Sequence, residues 1–233
     1  MTDWALVTGA SGRGGAAIAK ALHARGLGLV VHHSPRSAEP ADNLVAEFNR
    51  IRRGSAIGWS CDLQPGVLPP VGVHPAPSVV VCNASVYEAS ELGDDAKALR
   101  DFDLHVRAHA SLLNALRASL KSVVTVTDIH TDRPAPGQVW YTVAKAGLQA
   151  LTLALAVEWA PQVRCNVVAP GTMPYPPDWD QQERAALINT TIPLGRLGTF
   201  EELASAVVFL ALDATYTTGQ ILTVDGGRSR YLP

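Results

Sequence analysis

In the run Tyr141-Thr142-Val143-Ala144-Lys145 a phenol and an ammonium stand four residues apart on a segment of helical period, so both side chains share one face. A free phenol titrates at about pH 10 and is a poor acid or base near neutrality. A lysine cation beside it favours the phenolate and draws its pKa toward the working range, and the same ammonium can hold a ribose. A helix with a surface lysine and a half-buried tyrosine would read the same way, so the pair needs companions.

The first companion is Thr8-Gly9-Ala10-Ser11-Gly12-Arg13-Gly14-Gly15, which follows an apolar run and opens an alanine-rich segment at Ala16. Gly9, Ser11, Arg13 and Gly15 suit the cradle of a dinucleotide. Glycine lets the backbone approach a pyrophosphate, and a helix N-terminus offers unpaired N–H groups. Tight strand-to-helix turns also use glycine for geometry alone. The second companion is an absence. An acidic residue about 20 positions beyond the glycines normally binds the ribose hydroxyls of NAD. Here the chain reads Val31-His32-His33-Ser34-Pro35-Arg36-Ser37, with no carboxylate before Glu39. Arg36 and Ser37, with His33 beside them and Arg13 nearby, offer donors to a 2′-phosphate, so NADPH is expected over NADH unless Arg36 is only a solvated loop charge.

The elements that must carry these residues follow from periodicity. Short β-branched runs, Trp4 to Thr8, Leu27 to His32, Ser78 to Cys82, Ser122 to Thr127, Val163 to Val168 and Gln220 to Val224, read as strands. Ala16 to Arg25, Ala41 to Arg53, Asp94 to Leu120, Val139 to Trp159 and Phe200 to Leu212 have helical period. In the third of these, Phe102, Val106, Leu113, Leu116 and Leu120 make an apolar stripe that a core-packing helix explains. The alternation implies an α/β fold of Rossmann type, a doubly wound parallel sheet with helices on both faces. Pro65, Pro69, Pro70, Pro75 and Pro77 forbid a helix within Cys61 to Pro77, so a Pro-rich loop is expected to replace one crossover helix. Gly171 to Gly198 is the other long irregular stretch, and residues 172–198 are expected to shape a substrate pocket.

Residues 1–233 fit one domain, and 47% hydrophobic against 17% charged residues is too apolar for disorder. The net charge of −2 arises from 19 basic and 21 acidic residues without a block of either sign. That excludes a nucleic-acid footprint and a polybasic membrane patch, and it favours a small-molecule partner. Cys61, Cys82 and Cys165 lie far apart with no metal-ligand spacing, so reduced core cysteines and no bound metal are expected. No signal-like leader or membrane-length apolar run is seen, which makes the cytoplasm the expected location.

Together these residues resemble the short-chain dehydrogenase/reductase family over essentially the whole chain. The likeness rests on the Tyr-x-x-x-Lys pair, Cys61-Asp62-Leu63, Asn83-Ala84-Ser85, Asn166-Val167-Val168-Ala169-Pro170-Gly171 and Val224-Asp225-Gly226-Gly227, all in the family's order. The resemblance implies that Asp62, with Leu63, receives the adenine, that Asn83, Ala84 and Ser85 lie against the cofactor, and that Pro170 and Gly171 border the nicotinamide. Two departures point to a subgroup. Arg13 makes the glycine turn similar to the T-G-x-x-x-R-x-G form of pteridine and dihydromonapterin reductases. The usual catalytic serine is missing, and Asp128 stands 13 residues before Tyr141, where that subgroup has an aspartate.

The subgroup implies an NADPH-dependent reductase acting on a pterin or dihydropterin C=N bond, with Asp128, Tyr141 and Lys145 as catalytic residues. Arg13, Ser85, Tyr87, Asp128 and Tyr141 would contact substrate, with Tyr87 stacking on a flat heterocycle against the nicotinamide. Asp128 should raise the Tyr141 pKa in opposition to Lys145, making the three one coupled unit. Asp128 could instead only cap a turn, and Asp132 competes for its role. His105 occupies the place of a family asparagine, and both a packed histidine and a substitute polar anchor fit. The alternatives are a carbonyl reductase, such as a 3-oxoacyl reductase, which normally relies on the missing serine, and a non-catalytic NADPH-binding protein, which would be expected to have lost Tyr141 or Lys145. Family habit implies a homotetramer.

Overall fold

In the computed structural model, residues 3–68, 75–174 and 181–231 are described. Its frame is one sheet of seven parallel strands in the order β3-β2-β1-β4-β5-β6-β7. The strands are β1 Trp4–Val7, β2 Gly28–His33, β3 Ala56–Ser60, β4 Val79–Cys82, β5 Ser122–Val126, β6 Arg164–Pro170 and β7 Ile221–Val224. All residues of β2, β4 and β5 are buried. Strands covered on both faces read as unbroken apolar runs, which is how these segments look in the sequence. β3 was not expected: Gly58 and Ser60 are exposed on this edge strand, and only Ala56 and Trp59 are buried.

One face of the sheet is covered by α1 (Arg13–Ala24), α2 (Ala38–Ile51) and α7 (Phe200–Val208), whose Ile18, Leu22, Phe48, Leu203 and Val207 enter a common core with Val7 and Val31. The other face packs Leu112, Leu113, Ala156 and Trp159 against Leu6, Val30 and Val80. Those four come from α4 (Ala108–Leu116) and from α5 (Val139–Glu158) with its C-terminal cap. α3 (Asp95–Phe102) runs into α4 through a π-helical turn, Asp103–Arg107. No helix lies in the described parts of the Pro-rich crossover, residues 61–68 and 75–77, while Pro69 and Pro70 fall outside the described residues.

Two expectations about these helices need correction. Phe102 is 42% exposed, and the buried face running through α3, the π turn and the start of α4 carries Lys97, Asp101, His105 and His109 instead. Of the expected stripe, Leu113, Leu116 and Leu120 pack into the core, joined earlier along the helix by Leu104 and Ala108 rather than by Phe102. The stretch 172–198 is also not wholly irregular, since Gln181–Thr191 forms α6; its polar sequence and lack of an amphipathic stripe concealed it.

Because every strand is parallel, their C-terminal ends open on one rim. The strand order reverses between β1 and β4, and the turns leaving these two strands diverge to leave a crevice.

Candidate active site

The crevice is a cleft of about 1250 Å³ along that rim. Every site residue expected from the sequence lines it except His33. Its floor is a cradle with no spare room. Gly9 is left-handed at φ 64°, and a Cβ there would lie 2.9 Å from Ala84 Cα. A Cβ on Gly15 would lie 2.0 Å from the Gly9 carbonyl oxygen, so the start of α1 must be glycine to close on the β1 turn. Thr8 Oγ1 accepts from the backbone N–H groups of Asn83 at 2.8 Å and Ala84 at 2.9 Å. Asn83 Nδ2 donates back to the carbonyls of Thr8 and Gly9.

Arg13, adjoining Gly12 and Gly14, is held at φ 48°, a conformation that costs a non-glycine residue free energy. Its Nη2 donates to the Pro174 carbonyl at 2.9 Å, across the cleft mouth. Ser11 sits in the same turn. Arg36 is exposed and Ser37 half-buried on a short 3₁₀ turn, Pro35–Ser37, at the end of β2. Asp62 and Leu63 follow β3. Pro170 ends β6, and Gly171 faces Asp225, whose Cβ is 2.6 Å from where a glycine Cβ would be.

His33 is the correction at this end. Side chains alternate along β2, so His32 meets the cleft while His33 turns away, with its Nδ1 3.0 Å from the Ser34 carbonyl. His32 Nδ1 accepts from Gly9 N–H at 3.1 Å, so the ring hydrogen belongs on Nε2. Burial holds its pKa down to about 4, and Nε2 has no hydrogen-bond partner of good geometry. A neutral donor is thus buried beside the glycine cradle, with the Cys61 backbone as its loose partner.

At the other end, Asp128 follows β5. Its Oδ1 accepts from His130 N–H, capping the 3₁₀ turn Ile129–Thr131, and its Oδ2 accepts from the Tyr141 hydroxyl at 2.9 Å. Turn capping and partnership with the phenol therefore coexist in one carboxylate. Asp132 does not line the cleft. Burial first, then the Asp128 charge, pushes the Tyr141 pKa well above its usual value. The simple expectation of a lysine-activated phenolate therefore fails, and the opposition from Asp128 prevails. Lys145 Nζ is 5.8 Å from the Tyr141 ring centre and donates to the Val126 carbonyl at 3.0 Å. Burial lowers its pKa to about 8. Tyr87 stands edge-on to Tyr141, ring centres 4.8 Å apart.

Several lining groups escaped the sequence reading. Lys97 is buried and bonds both oxygens of Asp101 at 2.6 and 2.7 Å. Arg228 bonds Thr172 Oγ1 from beyond β7. The spacing of four through Lys97, Asp101, His105 and His109 was the available signal for a polar helix face. Among the described residues no cluster of His, Cys, Asp or Glu could hold a metal ion, and no helix is long and apolar enough to cross a membrane.

The arrangement joins a long groove with a glycine floor to a phenol–carboxylate–ammonium group, the architecture of a site for a dinucleotide and a small second ligand. A family model described as enoyl-(acyl carrier protein) reductase matches residues 81–229. The chain is 34% identical to the granaticin polyketide synthase putative ketoacyl reductase 2 of Streptomyces violaceoruber, covering 96% of this chain and 94% of that one. It is 34% identical to the 3-oxoacyl-[acyl-carrier-protein] reductase of Synechocystis sp., covering 96% and 95%. Identity to pteridine reductase 1 of Leishmania tarentolae is 30%, covering 97% and 96%. With the parallel sheet, the glycine cradle and the Tyr-x-x-x-Lys pair at its rim, these matches show that the chain belongs to the short-chain dehydrogenase/reductase family, whose members are oxidoreductases using nicotinamide cofactors.

Proposed function

We propose that this chain is an NADPH-dependent reductase of a pterin or dihydropterin C=N bond. The observation that carries the reading is the hydrogen bond from Tyr141 to Asp128 Oδ2, at the place where carbonyl reductases of this family rely on serine. A carbonyl acceptor develops negative charge on oxygen, and an ionised Asp128 beside it would raise that barrier. A pterin presents N–H donors and a ring nitrogen that needs a proton, both of which a carboxylate–phenol pair serves.

Gly9, Ser11, Arg13 and Gly15 would hold the pyrophosphate, Arg36 and Ser37 the 2′-phosphate, and Asp62 and Leu63 the adenine. Asn83, Ala84, Ser85, Pro170 and Gly171 would hold the nicotinamide half, and Lys145 and Tyr141 its ribose. When bound, the reduced nicotinamide supplies a hydride to the substrate carbon. Tyr141, kept protonated by burial and by Asp128, holds its proton until the adjoining ring nitrogen becomes basic, then delivers it and is refilled from water at the cleft mouth. Tyr87 and Arg13 border the space for the heterocycle. Exposed Phe102 and Val143, on α3 and α5, fit a homo-oligomer, proposed as a tetramer.

The second reading is reduction of a 3-oxoacyl thioester, favoured by the names and 34% identity of two relatives. Loss of NADPH absorbance is to be followed with purified protein and a panel of dihydropterins, dihydrofolate and 3-oxoacyl thioesters. Turnover of dihydropterins supports the proposal. Efficient thioester reduction with every pterin ignored would overturn it.

A further inference from the structure

Ser85 stands on the cleft wall after β4, and its Oγ lies 3.0 Å from His105 Nε2. His105 is fully buried in the π turn, with Nδ1 2.9 Å from the Asp101 carbonyl oxygen. A carbonyl only accepts, so Nδ1 carries the ring hydrogen. The groups facing the ring are the Lys145 and Lys97 cations, His109 and, edge-on at 5.7 Å, Tyr141. Burial and these cations push the His105 pKa to about 2, so the ring is neutral and Nε2 is a bare lone pair. Two other acceptors are in reach, the Val86 carbonyl at 3.5 Å and the Tyr141 hydroxyl oxygen, but the bare imidazole lone pair is more basic than either, so the Ser85 proton goes to Nε2.

The next histidine repeats this polarity. His109 Nδ1 lies 3.0 Å from the His105 carbonyl, which again fixes the hydrogen on Nδ1, and its Nε2 lies 3.0 Å from Thr8 Oγ1. Thr8 therefore donates to His109 while accepting from Asn83 and Ala84. Two buried rings in series set the direction of the hydroxyls in both turns that bound the cleft.

We propose that His105 is a positioning residue that locks the Ser85 hydroxyl as a hydrogen-bond acceptor toward the cleft, so that the site selects a ligand edge bearing N–H donors. An ordinary serine can turn its proton toward a carbonyl oxygen; this one has spent it. Its Oγ and the Asp128 carboxylate then form two acceptors on one wall, complementary to an amino-substituted ring amide and unsuited to a bare ketone. The ligand class rests on the pterin reading above, whereas the polarity of Ser85 does not.

The test has two arms. Long-range nitrogen–proton NMR of the histidine rings should show His105 as a neutral Nδ1–H tautomer throughout roughly pH 5 to 8, where an ordinary histidine titrates. In the second arm 6-methylpterin is titrated into the NADP⁺ complex, which cannot turn over, and quenching of pterin fluorescence is read. Ser85→Ala should weaken binding by roughly five- to tenfold. His105→Asn, which can donate to Ser85 and release its proton toward the cleft, should weaken it similarly and raise KM more than it lowers kcat. The double variant should be no worse than Ser85→Ala, since both changes act through one hydroxyl. A ring that titrates in this range, a hydrogen on Nε2, or additive losses would overturn the proposal. If wild-type complex binds no pterin while the tautomer is as stated, the pterin reading falls and the Ser85 polarity stands.

Discussion

The Tyr141 hydroxyl gives its hydrogen to Asp128 across 2.9 Å, while Lys145, one turn further along α5, gives one of its own to a backbone carbonyl. The phenol is thus tied to an anion rather than opened by a cation. Asp128→Ser removes the repulsion that disfavours a phenolate, so the Tyr141 pKa should fall. Dihydropterin kcat/KM should drop by about tenfold or more, with ketone reduction unchanged or improved. Tyr141→Phe should cost about 10²-fold in turnover with cofactor affinity nearly intact. Wild-type turnover in the phenylalanine variant would remove Tyr141 from the chemistry.

Cofactor choice is the second prediction. Arg36 and Ser37 stand at the end of β2 with no carboxylate between them and the glycines. NADPH should bind more tightly than NADH by roughly 1–3 kcal/mol, and Arg36→Asp should reverse the order. Calorimetric titration of each cofactor decides it; equal affinities would sink the assignment.

Lys145 burial has a stability consequence with a definite sign. Its pKa falls from 10.5 to about 8, so the folded state binds fewer protons than the unfolded chain between these values. Stability therefore rises with pH across that window, and the cost of burying the cation is fully present below pH 8. Lys145→Met should unfold at higher temperature than wild type at pH 7 while losing turnover, and its advantage should shrink as pH climbs from 8 toward 10. A gap in melting temperature that stays constant with pH would count against the burial argument.

The Lys97–Asp101 pair is nearly inaccessible, at 2% and 1% exposure. Lys97→Met leaves an uncompensated carboxylate in the interior and should cost about 3–5 kcal/mol in urea unfolding. Adding Asp101→Leu removes the orphaned charge and should restore most of the loss. Failure of the double variant to recover would mean that the pair organises the π turn beyond its own charges.

Gly15→Ala would place a methyl group 2.0 Å from a backbone oxygen that no rotamer change can move. The β1 turn or α1 must shift, at a cost of roughly 1–3 kcal/mol in stability and with a larger loss of cofactor affinity. Fluorescence titration with NADPH beside a melting curve separates the two effects.

Legibility differed by element for physical reasons. Strands sealed on both faces, such as Val79–Cys82, announce themselves by continuous apolar residues, whereas Ala56–Ser60 shares its apolar content with water and a glycine and does not. Glycines and the Tyr-Lys spacing were readable because a tight approach or a shared helix face restricts residue type. His32 and His33 could not be ranked from sequence, since which one meets the cleft depends on strand register. The polar face running from α3 through the π turn into α4 was hidden for a related reason: Lys97, Asp101, His105 and His109 repeat every four residues like any core stripe, but they are held by each other's hydrogen bonds rather than by apolar contact.

The reversal of strand order between β1 and β4 has a corollary. On the function proposed above, cofactor discrimination would fall on the β2 side of the reversal and proton handling on the β5 side, with the hydrogen bonds between Thr8 and Asn83 joining the two at the seam. A chimaera exchanging the segment from β2 through Ser37 should inherit its donor's cofactor preference and retain its host's substrate.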